Sequence, residues 1–189
     1  MANKVKFGLS NVYISKITYG ENNSITYGTP FALKGAVNLS LDAEGESADF
    51  YADNTKYFSD YANQGYSGTL EVALINDKFR TDILGQYQDI NGAFIENSSD
   101  SLSDFALGCQ FEGDSTGTRY WFYQCSVSRP SVASQTTETS KTPVTDTLNI
   151  SIAARISDGQ VKAQLEKTED NATAYNGFFS DVYEKVTSA

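Results

Sequence analysis

The sequence predicts a mainly β protein, an antiparallel sandwich or barrel with one flanking helix, and three runs of residues carry this prediction. Apolar residues alternate with polar or small ones from Phe105 to Glu112, and again from Leu148 to Ile156. Such alternation is typical of strands with one face on a core. Between these runs, residues 120–123 read Tyr-Trp-Phe-Tyr and are apolar on both faces. A strand of that kind needs a cover on each side.

Three further strands are predicted earlier in the chain. Residues 12–19 alternate and end in the small polar residues from Gly20 to Ser24, which indicate a turn. Residues 37–41 and 70–74 each place Val or Leu at every second position. Both patterns predict half-buried strands.

A short helix is predicted directly after the strand that ends near Leu74. Asn76 or Asp77 can serve as its N-cap, and Gly85 as its left-handed stop. Phe79 and Ile83 lie four residues apart and therefore share one face. We expect this helix to pack on the core.

A second helix is predicted over about 171–186, behind Asp170 or Asn171 as its cap. Its apolar residues recur at three- and four-residue spacing, at Ala172, Tyr175, Phe179, Val182, Tyr183 and Val186. We expect it to lie on the sheet of its own subunit. No change in composition marks a domain boundary, so residues 1–189 are predicted to form a single domain.

Two long connections interrupt the predicted strands. Residues 42–68 far exceed the usual loop of about 4 to 6 residues, and they mix acidic with aromatic side chains. Aromatic residues on a loop indicate a partner surface. Residues 128–146 are dominated by Ser, Thr and Gln, with Pro130 and Pro143 near the ends, and we expect a mobile hairpin there.

Charge and residue types exclude several classes of function. Acidic residues outnumber basic ones 24 to 14, giving a net charge of −10, and the basic residues are scattered singly. Nucleic-acid binding needs clustered Lys and Arg, so it is not expected. The chain has no histidine, which removes the usual catalytic triads and the commonest zinc ligand. We predict no enzyme activity and no catalytic, cofactor-binding or metal-binding residues.

Carboxylate pairs are the remaining candidates for catalysis. Glu44 with Asp49, or Asp100 with Asp104, would suit a glycosidase if each pair faced one cleft. Chance pairing is expected among 24 acidic residues. An alternative function is a carbohydrate-binding β-sandwich module, with Phe94, Trp121 and tyrosines as a stacking platform, although Trp121 is more simply a core residue.

Cysteine usage and the N-terminal residues bear on the compartment. Cys109 and Cys125 lie in neighbouring predicted strands, and we expect two buried, reduced thiols and no disulfide. Residues 1–7 contain no apolar run, and no stretch of about 18 apolar residues occurs. We therefore expect a protein that is made and kept in the cytosol, with no membrane contact.

Several short motifs occur in an order that resembles the major tail proteins of long-tailed bacteriophages. They are Gly8-Leu9-Ser10-Asn11-Val12-Tyr13, Tyr27-Gly28-Thr29-Pro30, Tyr51-Ala52-Asp53-Asn54, Phe79-Arg80-Thr81-Asp82-Ile83-Leu84-Gly85, and Arg119-Tyr120-Trp121-Phe122-Tyr123 through Arg129-Pro130-Ser131. The resemblance extends from about Val5 to Val186. It rests on the order and spacing of the motifs taken together.

The resemblance implies a structural virion protein of the tail tube type. Such a protein forms hexameric rings that stack into a tube, through which DNA passes into the host without specific binding. The implied partners are further copies of the chain, the tape measure protein, and the tail tip and tail terminator proteins. The implied location is the virion tail, after synthesis in the bacterial cytoplasm.

Three structural expectations follow from this resemblance. Neighbouring copies would cover strands that are apolar on both faces and would pair with free sheet edges. Residues 42–68 would reach a neighbouring subunit or ring and bury Phe50, Tyr51, Tyr57 or Phe58 there. Acidic side chains would line the bore and repel DNA, because duplex DNA carries one negative charge per about 1.7 Å.

Overall fold

The computed structural model describes residues 3–21, 24–136 and 143–186, and these ranges are mainly β, as predicted. The strands are β1 (Lys6–Tyr19), β2 (Ile25–Tyr27), β3 (Phe31–Ala32), β4 (Ala36–Glu44), β5 (Ser47–Ala52), β6 (Thr55–Tyr61), β7 (Gly65–Val72), β8 (Tyr87–Gln88), β9 (Phe94–Ile95), β10 (Phe105–Gly113), β11 (Thr118–Val127), β12 (Asp146–Ala153) and β13 (Lys162–Glu166). The helices are α1 (Asp77–Asp82) and α2 (Ala172–Asn176).

One antiparallel sheet organises the fold, in the order β2-β1-β10-β11-β12-β7-β4. Strand β11 pairs with β10 along one edge; along the other it pairs first with β13 and then with β12. The chain from β3 into β4 joins the two ends of the sheet, because β3 pairs with β1 and β4 pairs with β7. The Leu33 amide donates to the Val12 carbonyl at 2.8 Å, and the Ala73 amide to the Gly35 carbonyl at 2.7 Å. The sheet therefore curls into a barrel-like layer.

Helix α1 forms where the sequence predicts it. The Asn76 side chain accepts a hydrogen bond from the Phe79 amide at 2.8 Å and so caps the first turn. Phe79 and Ile83 are both fully buried, and Gly85 has a φ of +72°. The predicted cap, buried face and stop are confirmed.

The interior of the curled sheet holds the main core. Its fully buried members are Ile14, Leu70, Val72, Phe79, Ile83, Phe105, Leu107, Cys109, Cys125 and Leu148. Both cysteines are free thiols within this core, as predicted. Burial raises the pKa of the Cys109 thiol to about 12, so it stays protonated and behaves as a small apolar residue.

A second core lies on the outer face of β10 and β11. It consists of Ala106, Trp121, Tyr123, Phe178 and Val182. The prediction that the run from Phe105 has only one buried face is therefore wrong, since residues 105–110 are all buried. The Tyr-Trp-Phe-Tyr strand is buried on both faces, and its second cover comes from residues 177–186 of the same chain. The expectation that neighbouring copies supply this cover is also wrong.

The C-terminal helix is much shorter than the predicted range of about 171–186. Helix α2 ends at Asn176, and residues 177–186, here called the C-terminal segment, follow as turns and irregular chain. Asn171 makes no side-chain cap, and Gly177, a poor helix former, stands at the other end. Side chains of the sheet bind one carbonyl within α2 and two carbonyls beyond it, and the latter contacts replace hydrogen bonds of a longer helix.

Alternate residues of β11 donate these hydrogen bonds from one face. Arg119 Nη1 donates to the Tyr175 carbonyl, Trp121 Nε1 to the Phe178 carbonyl at 2.7 Å, and Tyr123 Oη to the Tyr183 carbonyl at 2.8 Å. Residues at i, i+2 and i+4 of a strand share a face, so one strand holds the C-terminal chain at three points.

Arg155 anchors the far end of the C-terminal segment. The predicted strand through Ile156 ends earlier, at Ala153, so Arg155 turns inward and Ile156 is exposed. The buried guanidinium donates to Asp158 Oδ1 at 2.9 Å and to Glu184 Oε2 at 2.9 Å. This contact with Arg155 lowers the pKa of Asp158.

Candidate assembly interface

Residues 42–68, predicted as a long loop, are largely ordered as strands, so that prediction is wrong. The segment contains the end of β4, a hairpin formed by β5 and β6, and the start of β7. Asp53 and Asn54 form the hairpin turn with φ values of +50° and +61°. Positive φ at both central residues is typical of a type I′ turn, which matches the twist of paired strands.

The hairpin presents five aromatic side chains to solvent. Their exposed fractions are 60% for Phe50, 64% for Tyr51, 76% for Tyr57, 57% for Phe58 and 72% for Tyr61. Four of them are the residues predicted as an intersubunit contact. Every residue of β5 and β6 except Ala52 is exposed, so none of the described residues forms a hydrophobic layer beneath the hairpin.

Hydrogen bonds near the barrel fix the base of the hairpin. The Ala62 amide donates to the Glu46 carbonyl at 3.1 Å, and the Gln64 amide to the Glu44 carbonyl at 3.0 Å. Gly65, with a φ of +105°, starts β7 where a Cβ would lie 1.9 Å from the Ile152 carbonyl oxygen. An isolated two-stranded hairpin is marginally stable in water, so this one gains stability when a surface covers it.

The hairpin is acidic as well as aromatic. It carries Glu46, Asp49, Asp53 and Asp60 against the single basic residue Lys56. Asp49 is already paired, with Lys56 Nζ at 2.8 Å and Ser59 Oγ at 2.7 Å. These contacts lower the pKa of Asp49, and the other three carboxylates have no lysine or arginine nitrogen within 4.0 Å among the described residues.

An aromatic cleft is lined by residues of β1, β4, β7, β10, β11 and β13. We call it the lysine cleft, and its volume is about 380 Å³. Its wall is formed by Lys6, Leu39, Ser40, Leu41, Tyr66, Phe111, Tyr120, Phe122, Lys162 and Gln164. The volume exceeds that of one aromatic side chain, and several of the wall residues belong to the half-buried margin of the main core.

Two ammonium groups lie over aromatic rings of the lysine cleft. Lys162 Nζ is 4.7 Å from the centre of the Tyr66 ring and donates to the Tyr66 hydroxyl at 2.8 Å. Lys6 Nζ lies 5.2 Å from the centre of the Phe111 ring. Within the described residues, no carboxylate lies within 4.0 Å of either ammonium group. The cleft thus combines apolar walls with positive charge.

The other predicted candidates occupy structural positions. Trp121 is fully buried and cannot stack on a sugar, which confirms its prediction as a core residue and removes it from the carbohydrate platform. Phe94 is half-buried, with the Arg80 guanidinium 5.8 Å from its ring centre.

Three of the four predicted carboxylates have local partners. Asp49 pairs with Lys56, as described above. Asp100 accepts from the Asn97 amide at 2.7 Å, and Asp104 accepts from the Tyr19 hydroxyl. The Asp49 contact joins β5 to β6, the Asp100 contact closes a turn, and the Asp104 contact binds the last residue of β1. None of them is a contact between the two members of a predicted pair.

The described ranges contain neither a cluster of metal ligands nor a helix that could span a membrane. There, no three or more Cys, Asp or Glu side chains lie together as metal ligands would. No helix in these ranges has the length and apolar character needed to cross a bilayer.

The polar connection 128–146 is described only outside residues 137–142, and its described parts contain no regular structure before β12 begins at Asp146.

Comparison with known proteins leaves the site without a family assignment. No protein-family model matches the chain, and no curated protein matches it. The interface must therefore be interpreted from its own chemistry.

The lysine cleft is the part of the site that sequence reasoning missed. Its walls come from β1, β4, β7, β10, β11 and β13, which are far apart in the chain. The turn of the hairpin could have been predicted from the sequence, because Asp53 and Asn54 are residue types that tolerate the left-handed conformation.

Proposed function

We propose that this chain is a structural virion protein that self-assembles through its aromatic hairpin into the tail tube of a long-tailed bacteriophage. The observation that carries the proposal is the set of five exposed aromatic side chains on β5 and β6. Exposed apolar patches on an otherwise well-packed protein are typical of interaction surfaces. The order of short motifs from Val5 to Val186 supports the tail tube as the particular assembly.

The proposed assembly consists of hexameric rings stacked into a hollow tube. Its partners are further copies of the chain, together with the tape measure, tail tip and tail terminator proteins. Free strand edges support such an assembly: among the described strands, β4 pairs only with β7, and β13 only with β11. An edge strand with unpaired amide and carbonyl groups is a template for a neighbouring chain.

The net charge of −10 is compatible with a conduit for DNA. A wall of negative charge would repel the phosphates and allow passage, whereas a basic wall would bind them. The proposal therefore includes no specific DNA binding and no catalytic step. It places the mature protein in the virion tail, after synthesis in the bacterial cytoplasm.

Electron microscopy of the purified protein tests this proposal. We expect rings or tubes in negative stain, and a molar mass that rises with concentration in light scattering. A variant in which Asn-Gly replaces residues 47–61 should remain a folded monomer, because Glu46 and Ala62 are already hydrogen-bonded and a two-residue turn can join them.

Point variants separate the hairpin from general surface hydrophobicity. Phe50→Ser, Tyr51→Ser, Tyr57→Ser and Phe58→Ser together should abolish assembly. The matched control replaces four exposed apolar residues elsewhere, Tyr87, Ile90, Ile95 and Val132, by serine and should assemble normally. A wild-type protein that stays monomeric at millimolar concentration, or tubes of normal length from the hairpin variant, would refute the proposal.

A further inference from the structure

We infer that the lysine cleft of one copy is the receptor for the acidic, aromatic hairpin of another copy. This inference rests on the self-assembly in the proposed function and adds the surface that receives the hairpin. Two observations carry it: an aromatic cleft whose two ammonium groups have no carboxylate within 4.0 Å among the described residues, and a hairpin whose carboxylates at 46, 53 and 60 have no Lys or Arg nitrogen within 4.0 Å there. The occupant is a second copy of this chain.

The lysine cleft is large enough to receive side chains of the hairpin. The cleft has a volume of about 380 Å³, which accommodates one or two aromatic rings of the hairpin. Phe50 and Phe58 are directly opposite each other across β5 and β6, so they lie on one face and can enter together. Aromatic side chains that fill a pocket contribute most of the binding energy in protein interfaces.

The charges of the two surfaces are complementary. Lys6 and Lys162 flank the cleft, and Gln164 is the other long polar side chain of its wall. The hairpin places Asp53 in its turn and Asp60 directly before the aromatic Tyr61. Docking would give both ammonium groups carboxylate partners while their rings contact the hairpin aromatics. Complementary charges of this kind select the partner and fix the register.

Among the described residues of one chain, the hairpin and the lysine cleft do not contact each other. The hairpin aromatics are more than half exposed, so they do not occupy the cleft of their own copy. A cleft on one face and a hairpin elsewhere on the same chain form a heterologous contact. Contacts of that type generate rings or open stacks.

Charge reversal in the cleft tests the inference. Lys6→Glu with Lys162→Glu should raise the concentration needed for half-maximal assembly at least about tenfold. Lys34→Glu with Lys78→Glu is the matched control, because both double variants change the net charge by −4, from −10 to −14, and the control lysines lie outside the cleft. The control should assemble like the wild type at moderate ionic strength. Equal assembly of both variants would overturn the inference.

Mixing two defective proteins gives a second, independent measurement. The variant in which Asn-Gly replaces residues 47–61 has the cleft and no hairpin, whereas the Lys6→Glu, Lys162→Glu variant has the hairpin and a cleft of reversed charge. At a concentration just sufficient for assembly of the wild type, neither should self-associate, but together they should form a 1:1 complex in sedimentation velocity. Adding Asp53→Lys and Asp60→Lys to the cleft variant should restore its self-association. Such a complex would also show that the cleft variant is folded.

The outcomes distinguish the inference from the proposed function. If the wild type forms tubes but the mixture forms no 1:1 complex, the cleft is not the receptor for the hairpin, and the proposed tail tube function still stands. If the mixture forms a 1:1 complex but the wild type forms no rings or tubes, the cleft is the receptor for the hairpin, and the proposed tail tube function is refuted.

Discussion

The outer face of β11 and the surface of the β5–β6 hairpin carry the same kinds of side chain and differ completely in burial. Trp121 and Tyr123 are covered by Phe178 and Val182 of the C-terminal segment. Phe50, Tyr57 and Phe58 are exposed. The first region is covered by residues of the same chain, whereas no residue that the structure describes covers the second. Aromatic composition therefore identifies a surface that needs a cover, but it does not say which chain provides it.

The hydrogen bonds of the two regions sharpen this difference. The three donors of β11 each meet a carbonyl of the C-terminal chain, so polar and apolar contacts are satisfied together. Among the hairpin carboxylates, only Asp49 has a charged partner within the described part of the chain, and that partner is Lys56 of the same hairpin. We therefore expect substitutions on β11 to act on folding, and substitutions in the hairpin to act on assembly.

The largest expected effect is that of Trp121→Ala. Removing this fully buried side chain should lower the free energy of unfolding by about 3–5 kcal/mol, because a large cavity opens beneath the C-terminal segment. Urea unfolding followed by circular dichroism measures the loss. Trp121→Phe is the control: it keeps most of the apolar volume, loses the hydrogen bond to the Phe178 carbonyl, and should cost only about 1–2 kcal/mol. A loss below 1 kcal/mol for Trp121→Ala would contradict the role of the C-terminal segment as a cover.

The alkaline limit of stability provides the next test. Burial raises the pKa of Tyr123 to about 12, above the value of about 10 in an unfolded chain. The stability contributed by the neutral phenol is thus complete below about pH 10 and is lost as the pH rises towards about 12. Tyr123→Phe should cost about 1 kcal/mol at neutral pH, through the hydrogen bond to Tyr183, and should flatten the decline above pH 10.

Measurement of the free energy of unfolding at several pH values, for both proteins, tests this prediction. Absorbance titration at 295 nm should show one fewer late-titrating tyrosine in the variant. An unchanged alkaline slope would mean that the Tyr123 hydroxyl is not held against the C-terminal chain.

Local patterns in the sequence predicted much of the barrel. The alternation in residues 12–19, 37–41 and 105–112 falls within observed strands, and the cap, face and stop of α1 all follow from single residues. These features depend on neighbours in the chain. For that reason they can be inferred without knowing the tertiary contacts.

The errors arose where distant contacts decide the structure. The C-terminal stretch has helical periodicity, but its carbonyls at Phe178 and Tyr183 bind side chains of β11 instead of its own amides. In the hairpin, adjacent aromatics such as Phe50 and Tyr51 hide the period-2 pattern, because both faces are apolar. The lysine cleft depends on contacts between residues as far apart as Lys6 and Lys162, which no local pattern reveals.

The smallest expected effect on stability is that of Phe58→Ala in the hairpin. Because the side chain is 57% exposed, its removal should change the free energy of unfolding of the monomer by less than about 0.5 kcal/mol. The same substitution should weaken assembly measurably, since an aromatic anchor of an interface contributes at least about 2 kcal/mol. Unfolding should be measured at low concentration, where only monomer is present, and assembly by light scattering at high concentration. A stability loss comparable to that of Trp121→Ala would mean that the hairpin is covered within its own chain, and the contrast between the two regions would disappear.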